Sequence, residues 1–143
     1  MLAVFANEYV ISYSLSQLKN TIQVSIWNGV VMGGGVGLSW HSPFRIATEN
    51  SMFAMPETAI GFFTDVGCGY FLPRINNNDF SLGLYIALTG RRIKSKELVR
   101  LGVATHFVPK DRLKPFQQDL IDTVRQSSSK QEIDAICMKY SEP

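Results

Sequence analysis

The stretch from Met32 to Arg74, MGGGVGLSWHSPFRIATENSMFAMPETAIGFFTDVGCGYFLPR, decides how this chain is read. It opens on Gly33–Gly34–Gly35–Val36–Gly37, which follows a run that alternates apolar and polar residues from Ile22 to Trp27 and precedes a helix start from Val36 to Trp40. Glycines at a strand-to-helix turn let the backbone come close to a ligand. The amides of the first helical turn have no intrahelical acceptor and point outward, which suits negative charge developing on an oxygen. The cluster is neither a dinucleotide fingerprint, since Leu38 stands at the last glycine position, nor a P-loop, since no Gly-Lys-Ser/Thr follows. A turn whose glycines only solve a packing problem is equally compatible with the cluster taken alone.

The second feature is Pro56–Glu57–Thr58–Ala59–Ile60–Gly61–Phe62–Phe63–Thr64–Asp65, two carboxylates flanking two phenylalanines. Carboxylates beside aromatic rings acquire raised pKa values and act as general acids or bases. Surface or helix-capping carboxylates are the plain alternative. His106 falls in an apolar strand pattern and reads as structural, His41 as a helix-end residue, and Ser39 lacks the G-x-S-x-G setting of a serine hydrolase.

Outward from this stretch, helices are expected over Leu2–Leu18, Val66–Leu72, Leu82–Leu88, Lys96–Leu101, Asp111–Val124 and Lys130–Tyr140. Ser95 is expected to cap the fourth, and Gly90 and Gly102 to close the third and fourth. Strands are expected over Ile22–Trp27, Phe44–Ala47, Met52–Met55 and Ala104–Val108. Asn28–Gly29 reads as a turn, Asn76–Asp79 and Ser127–Ser129 as loops, and Tyr70–Phe71–Leu72 as core. The alternation predicts an α/β fold in one domain over residues 1–143, with too few legible strands to complete a sheet.

Apolar residues make up 45% of the 143 and charged residues 18%, which is ordinary for a globular chain and argues against disorder. A net charge of +2 with scattered cations excludes a nucleic-acid footprint. No run is long enough for a transmembrane helix, and no targeting segment is legible. Cys68 and Cys137 match no metal-ligand spacing and read as buried or half-buried free thiols.

Taken together, Asn28–Ser39, Phe53–Phe63, Asp65–Arg74, Leu88–Gly90 and Gly102–Val108 resemble, in this order, the 3-hydroxyisobutyryl-coenzyme A hydrolases of the crotonase superfamily. The resemblance runs from about Glu8 to Val108. It implies a crotonase-like fold and hydrolysis of a short acyl-coenzyme A thioester, 3-hydroxyisobutyryl-coenzyme A, in mitochondrial valine breakdown. By resemblance, Gly34 supplies an oxyanion-hole amide beside Gly33, and Glu57 is the nucleophile or activates water. Asp65 binds the substrate hydroxyl or assists proton transfer. Glu8 matches a substrate-contacting carboxylate, its spacing to the glycine turn off by one. No cofactor is implied beyond the coenzyme A of the substrate, and no nucleic acid.

Two positions depart from the family's pattern: Thr64 where proline is usual, and Cys68 where glycine is usual. The family's chains are also longer on both sides, so the fold is expected to be incomplete at both ends. The upstream part carries the second oxyanion amide and much of the coenzyme A pocket. The resemblance therefore leaves open an active hydrolase, a piece completed by a partner chain, and a non-catalytic structural subunit. An enoyl-coenzyme A hydratase is a further alternative, less favoured because hydratases usually pair two glutamates.

Overall fold

The chain follows one path twice: a strand, a polar corner, a second strand, then helix. The computed structural model describes residues 2–126 and 129–143. In the first pass β1 (Val24–Trp27) turns at Asn28–Gly29 into β2 (Val30–Met32) and then α2 (Gly34–Ser39); in the second, β3 (Phe44–Ala47) leads to β4 (Met52–Ala54) and a 3-10 turn at Glu57–Ile60. β1 pairs parallel with β3, and β3 with β6 (His106–Phe107). β2 pairs parallel with β4, which takes β5 (Ile93–Lys94) antiparallel on its other edge. Among the described residues the result is two three-stranded sheets, more than the sequence made legible. β2 and β5 were not expected, because three and two residues are too short for alternation to register.

The corners are polar, and two of their hydroxyls are buried. Thr48 Oγ1 and Asn50 Nδ2 both donate to Asn28 Oδ1, at 3.1 Å each. The Ser51 hydroxyl donates to the Trp27 carbonyl, and Met52 N to Gly29 O at 2.9 Å. Thr48 and Ser51 are almost wholly buried, so each hydroxyl needs a partner, and the two passes of the chain supply them to each other.

β3 shows the period-2 alternation of a strand with two covered faces. Phe44 and Ile46 face a cluster with Val108, Leu113, Phe116, Ile133 and Cys137. Ala47 faces the larger cluster built on Trp27, Trp40, Phe53, Phe71, Ile86 and Leu98. Val24 and Ile26 join the first cluster from β1, as their spacing predicted. Fully burying one such aromatic or aliphatic side chain contributes about 1.5–3 kcal/mol. Arg45 lies over the Trp40 ring at 4.6 Å and donates from Nε to Val103 O and from Nη1 to Ser42 O, at 2.8 Å each. Burial lowers its pKa to about 10, which still leaves it cationic at neutral pH.

The remaining elements are α1 (Leu2–Ser16), α3 (Cys68–Phe71), the turn α4 (Ile75–Asn78), α5 (Phe80–Thr89), α6 (Glu97–Arg100), α7 (Leu113–Gln126) and α8 (Lys130–Tyr140). α8 matches its expected span, opened by a capping box between Ser129 and Glu132. Ser127 and Ser128, part of an expected loop, lie outside the described residues. Gly90 closes α5 in a left-handed conformation, as expected. Both cysteines are buried free thiols.

Several expectations are corrected. The helix expected from Val66 begins only at Cys68, because Val66 has φ +45°, and Pro73 tightens the last residues into a 3-10 turn. Ser95 caps nothing with its side chain. It adopts φ +50°, and its backbone N–H donates to Ser51 O at 3.0 Å, which ties α6 to the second corner. α1 stops two residues short of Leu18, the strand expected over Ala104–Val108 shrinks to His106–Phe107, and the first expected strand starts at Val24. Asn76 to Asn78 form a turn in left-handed conformations, and Asp79 then caps α5 by accepting from Leu82 N at 3.0 Å. Phe71 and Leu72 are core, but Tyr70 is 61% exposed.

α5 crosses the Leu72–Arg74 turn with no room for a side chain at Gly83, where a Cβ would overlap the Leu72 carbonyl and stand 3.1 Å from Pro73 N. Backbone atoms cannot swing aside, so Gly83→Ala is expected to cost about 2 kcal/mol net, the strain exceeding the ~1 kcal/mol helix-propensity gain of alanine. A denaturant midpoint equal to the parent's would show that α5 does not pack this closely.

Candidate active site

In-register parallel pairing places Met32 beside Ala54. The chain therefore leaves both strands at the same end of the sheet, where ligand sites in parallel sheets form. From β2 it enters Gly33, with φ +49° and ψ −121°, and then α2. From β4 it passes through Met55 and Pro56 to Glu57, first residue of the 3-10 turn. A Cβ on Gly33 would stand 3.1 Å from Glu57 Oε1, and one on Gly34 would overlap Glu8 Oε1. The glycine turn is thus held between two carboxylates, one from the 57–60 turn and one from α1. Gly34 opens α2, so its N–H belongs to the first-turn amides that lack an intrahelical acceptor.

Glu57 is 8% exposed, and its Oε2 is buried with no hydrogen-bond partner. Burial raises its pKa and the charge of Asp65 raises it further, against an opposing pull from its own backbone amide. Asp65 is half-buried, and its Oδ2 accepts a 2.8 Å hydrogen bond from the Tyr9 hydroxyl. Adjacent α1 residues, Glu8 and Tyr9, therefore reach Gly34 and Asp65 respectively.

Residues 2–143 match the enoyl-CoA hydratase/isomerase family. The chain belongs to that family. It is 49% identical over 118 residues to a mitochondrial 3-hydroxyisobutyryl-CoA hydrolase of Danio rerio, covering 82% of this chain and 30% of that protein. Its identity to the mitochondrial enzyme of the same name from Homo sapiens is 45% over 136 residues, covering 95% and 34%. The chain spans about a third of the length of these curated relatives. Among solved structures, a carnitinyl-CoA dehydratase from Mycobacterium thermoresistibile superposes with a TM-score of 0.77 at 34% identity, over 95% of this chain and 36% of that one. An enoyl-CoA hydratase/isomerase from Cupriavidus metallidurans CH34 gives the same TM-score at 17% identity, over 97% and 50%, which speaks to the fold alone. The architecture is the crotonase fold.

Within this family member the five residues singled out from sequence, Glu8, Gly33, Gly34, Glu57 and Asp65, converge on one end of the β2–β4 pair. Phe62 stacks on Phe5 at 6.0 Å and packs against Phe63 at 4.4 Å, forming an apolar flank. Cys68 is 1% exposed, and burial together with the charges of Glu57 and Asp65 raises its pKa, so it stays a neutral thiol and not a nucleophile. A cavity of about 510 Å³ opens beside Tyr9 and Val66, lined also by Ser12, Tyr13, His41 and Tyr70. His41 does follow α2, and burial lowers its pKa, so it lines the cavity as a neutral ring. His106 bonds Thr105 through Nδ1 at 2.9 Å, in keeping with a structural role. Tyr9 and Ser12 were not singled out from sequence. The one available signal was the adjacency of Tyr9 to Glu8.

The raised pKa of Glu57 has a sign that stability measurements can read. Between its unfolded and folded pKa values the folded chain holds the proton more tightly, so stability falls as pH rises through that window. Above the folded pKa the cost is fully present. Glu57→Gln is therefore expected to raise the denaturation midpoint at pH 7 and to lose that advantage below the ordinary carboxylate range. A variant no more stable than the parent at pH 7 would refute the uncompensated burial of this carboxylate.

Proposed function

We propose that this chain carries the reacting centre of an acyl-coenzyme A thioester hydrolase, with 3-hydroxyisobutyryl-coenzyme A as its substrate, in mitochondrial valine breakdown. The observation that carries the reading is Glu57, a buried carboxylate with one oxygen unpartnered, set against the Gly33–Gly34 turn. Relatives named mitochondrial 3-hydroxyisobutyryl-CoA hydrolases support the substrate and the compartment.

In this reading the thioester carbonyl oxygen sits at the start of α2 and takes the Gly34 N–H as negative charge develops. One such donor contributes about 2.7–4 kcal/mol to lowering the barrier. Glu57 supplies the electron pair, either to the carbonyl carbon or to a proton of the attacking water. The carbon–sulfur bond breaks, the thiolate leaves as coenzyme A, and water provides the oxygen and protons of the products. Asp65, which accepts a hydrogen bond from Tyr9, accepts a second from the hydroxyl of the acyl group. Glu8 fixes the far side of the glycine turn. The reaction needs no cofactor beyond the coenzyme A of its substrate.

A second reading, a subunit of the same fold completed by a partner chain, is favoured by the surface beside the site. Phe80, Leu84 and Leu88 repeat at i, i+4 and i+8 along α5 and stand exposed, as do Ile60 and Phe63. α5 packs against the 57–60 turn, so this apolar face adjoins the reacting carboxylate.

Hydrolysis of 3-hydroxyisobutyryl-coenzyme A by the purified chain, with Glu57→Gln alongside, separates the two. Turnover that falls roughly 10²–10⁴-fold in the variant is the expected result. A well-folded chain without turnover would move the weight to the partnered subunit.

A further inference from the structure

Three arginines far apart in sequence meet at one cavity. Arg45 comes from β3, Arg74 from the Leu72–Arg74 turn and Arg100 from the end of α6, and all three line a space of about 400 Å³. Gly102 draws these pieces together. It has φ +68°, and a Cβ there would stand 3.0 Å from Asn76 N, so the chain leaving α6 lies directly on the turn α4 that follows Arg74. Asn76 and Asn77 line the cavity too, and their side-chain amides have no protein partner.

No protein group answers this charge. Among the described residues no carboxylate lines the cavity, and none of the three guanidinium groups forms an ion pair. Glu97, on the same helix as Arg100, is paired instead with Arg91 at 3.4 Å. Arg45 donates from Nε and Nη1 to backbone carbonyls, while its Nη2 has no protein partner and is not among the buried unpartnered atoms. Arg74 donates from Nη1 to the Tyr70 carbonyl and keeps Nε and Nη2 free of protein. The Arg100 side chain makes no hydrogen bond or ion pair among the described residues. A guanidinium presents five donors in a planar fork that fits the oxygens of a phosphate. Cations that face one space repel one another, and an anion between them removes that repulsion.

We infer that this cavity is a binding site for a diphosphate group, held by Arg45, Arg74 and Arg100. Charge decides the class. One phosphate monoester carries about −1.5 to −2 at neutral pH, less than three guanidinium groups supply, and two linked phosphates come closer to matching them. Tyr70 is 61% exposed and has Arg74 over one side of its ring, which leaves the other side as a surface on which a base can stack. A free diphosphate and the diphosphate of a nucleotide share the chemistry of the arginines, and the test separates them. The inference does not rest on the reading of Glu57, since none of Glu8, Gly33, Gly34, Glu57 and Asp65 lines this cavity.

Inorganic pyrophosphate, orthophosphate and ADP are titrated calorimetrically into the parent chain and into Arg74→Gln, Arg100→Gln and Arg125→Gln. Pyrophosphate is expected to bind the parent at one site, more tightly than orthophosphate. Its affinity is expected to fall about tenfold in Arg74→Gln and in Arg100→Gln, as for one lost hydrogen bond to a charged group. Arg125 lies on α7 beside Asp122 and does not line the cavity, so Arg125→Gln removes the same charge and is expected to bind as the parent does. Arg100 has no partner to lose, so its variant is expected to keep the parent's denaturation midpoint. Added pyrophosphate is expected to raise that midpoint in the parent and less in the variant. ADP binding at least as tight as that of pyrophosphate, with the same loss in the two cavity variants, assigns the site to a nucleotide; weaker ADP binding assigns it to the free diphosphate. No saturable binding of pyrophosphate or ADP by the parent, no loss in either cavity variant, or an equal loss in Arg125→Gln overturns the inference, and each leaves the hydrolase reading in place.

Discussion

Parallel strands in register release their chains at the same end of a sheet, and here that constraint fixes the candidate site. With Met32 opposite Ala54, the residues that follow β2 and β4 must emerge side by side. Gly33–Gly34 therefore meets Glu57 across a gap that no larger residue would leave. A slip of one residue would turn every side chain of the pair to the other face and move Glu57 away from the turn. The polar corner prevents the slip. Asn28, Thr48 and Ser51 join the two passes of the chain only when these lie level, and neither Thr48 nor Ser51 has water to replace a lost partner cheaply.

On this frame two carboxylates with opposite environments are held near each other. Glu57 is stripped of water and of partners on one oxygen, so its charge is costly and its electron pair available. Asp65 is half-buried, and a phenol donates to one of its oxygens. The cost falls on folding, since an unpartnered buried carboxylate opposes stability at any pH where it is charged. The hydrogen-bonded corners and the two apolar clusters offset it.

The sequence made the long periodic helices legible. α8 stands where its 3.6-residue period placed it, and α7 nearly so, because both lay one apolar stripe, through Leu113 and Phe116 and through Ile133 and Cys137, on the same cluster. Glycine clusters and carboxylates are legible too, since their chemistry is local. What escaped were features that exist only through tertiary contact. β2 and β5 are too short to show a period and are strands only because β4 lies between them. Ser95 looks like a helix cap, yet its backbone is recruited by Ser51. Tyr70, read as core from its apolar neighbours, stands on the outer side of α3 with the Arg74 guanidinium 4.1 Å over its ring. Tyr9 gains its meaning from Asp65, and no local pattern links residues so far apart.

The two cysteines divide between the two apolar clusters, Cys68 in the larger and Cys137 in the one beneath α7 and α8. Both are sealed, and burial raises both thiol pKa values, that of Cys137 to about 12. Neither can meet a thiol reagent until its own cluster opens, because reaction requires both access and the thiolate. The chain thus contains a natural pair of opening reporters. Their alkylation rates would tell whether the sheet that leads to Glu57 and the helical layer beneath α7 and α8 come apart together or as separate cooperative units.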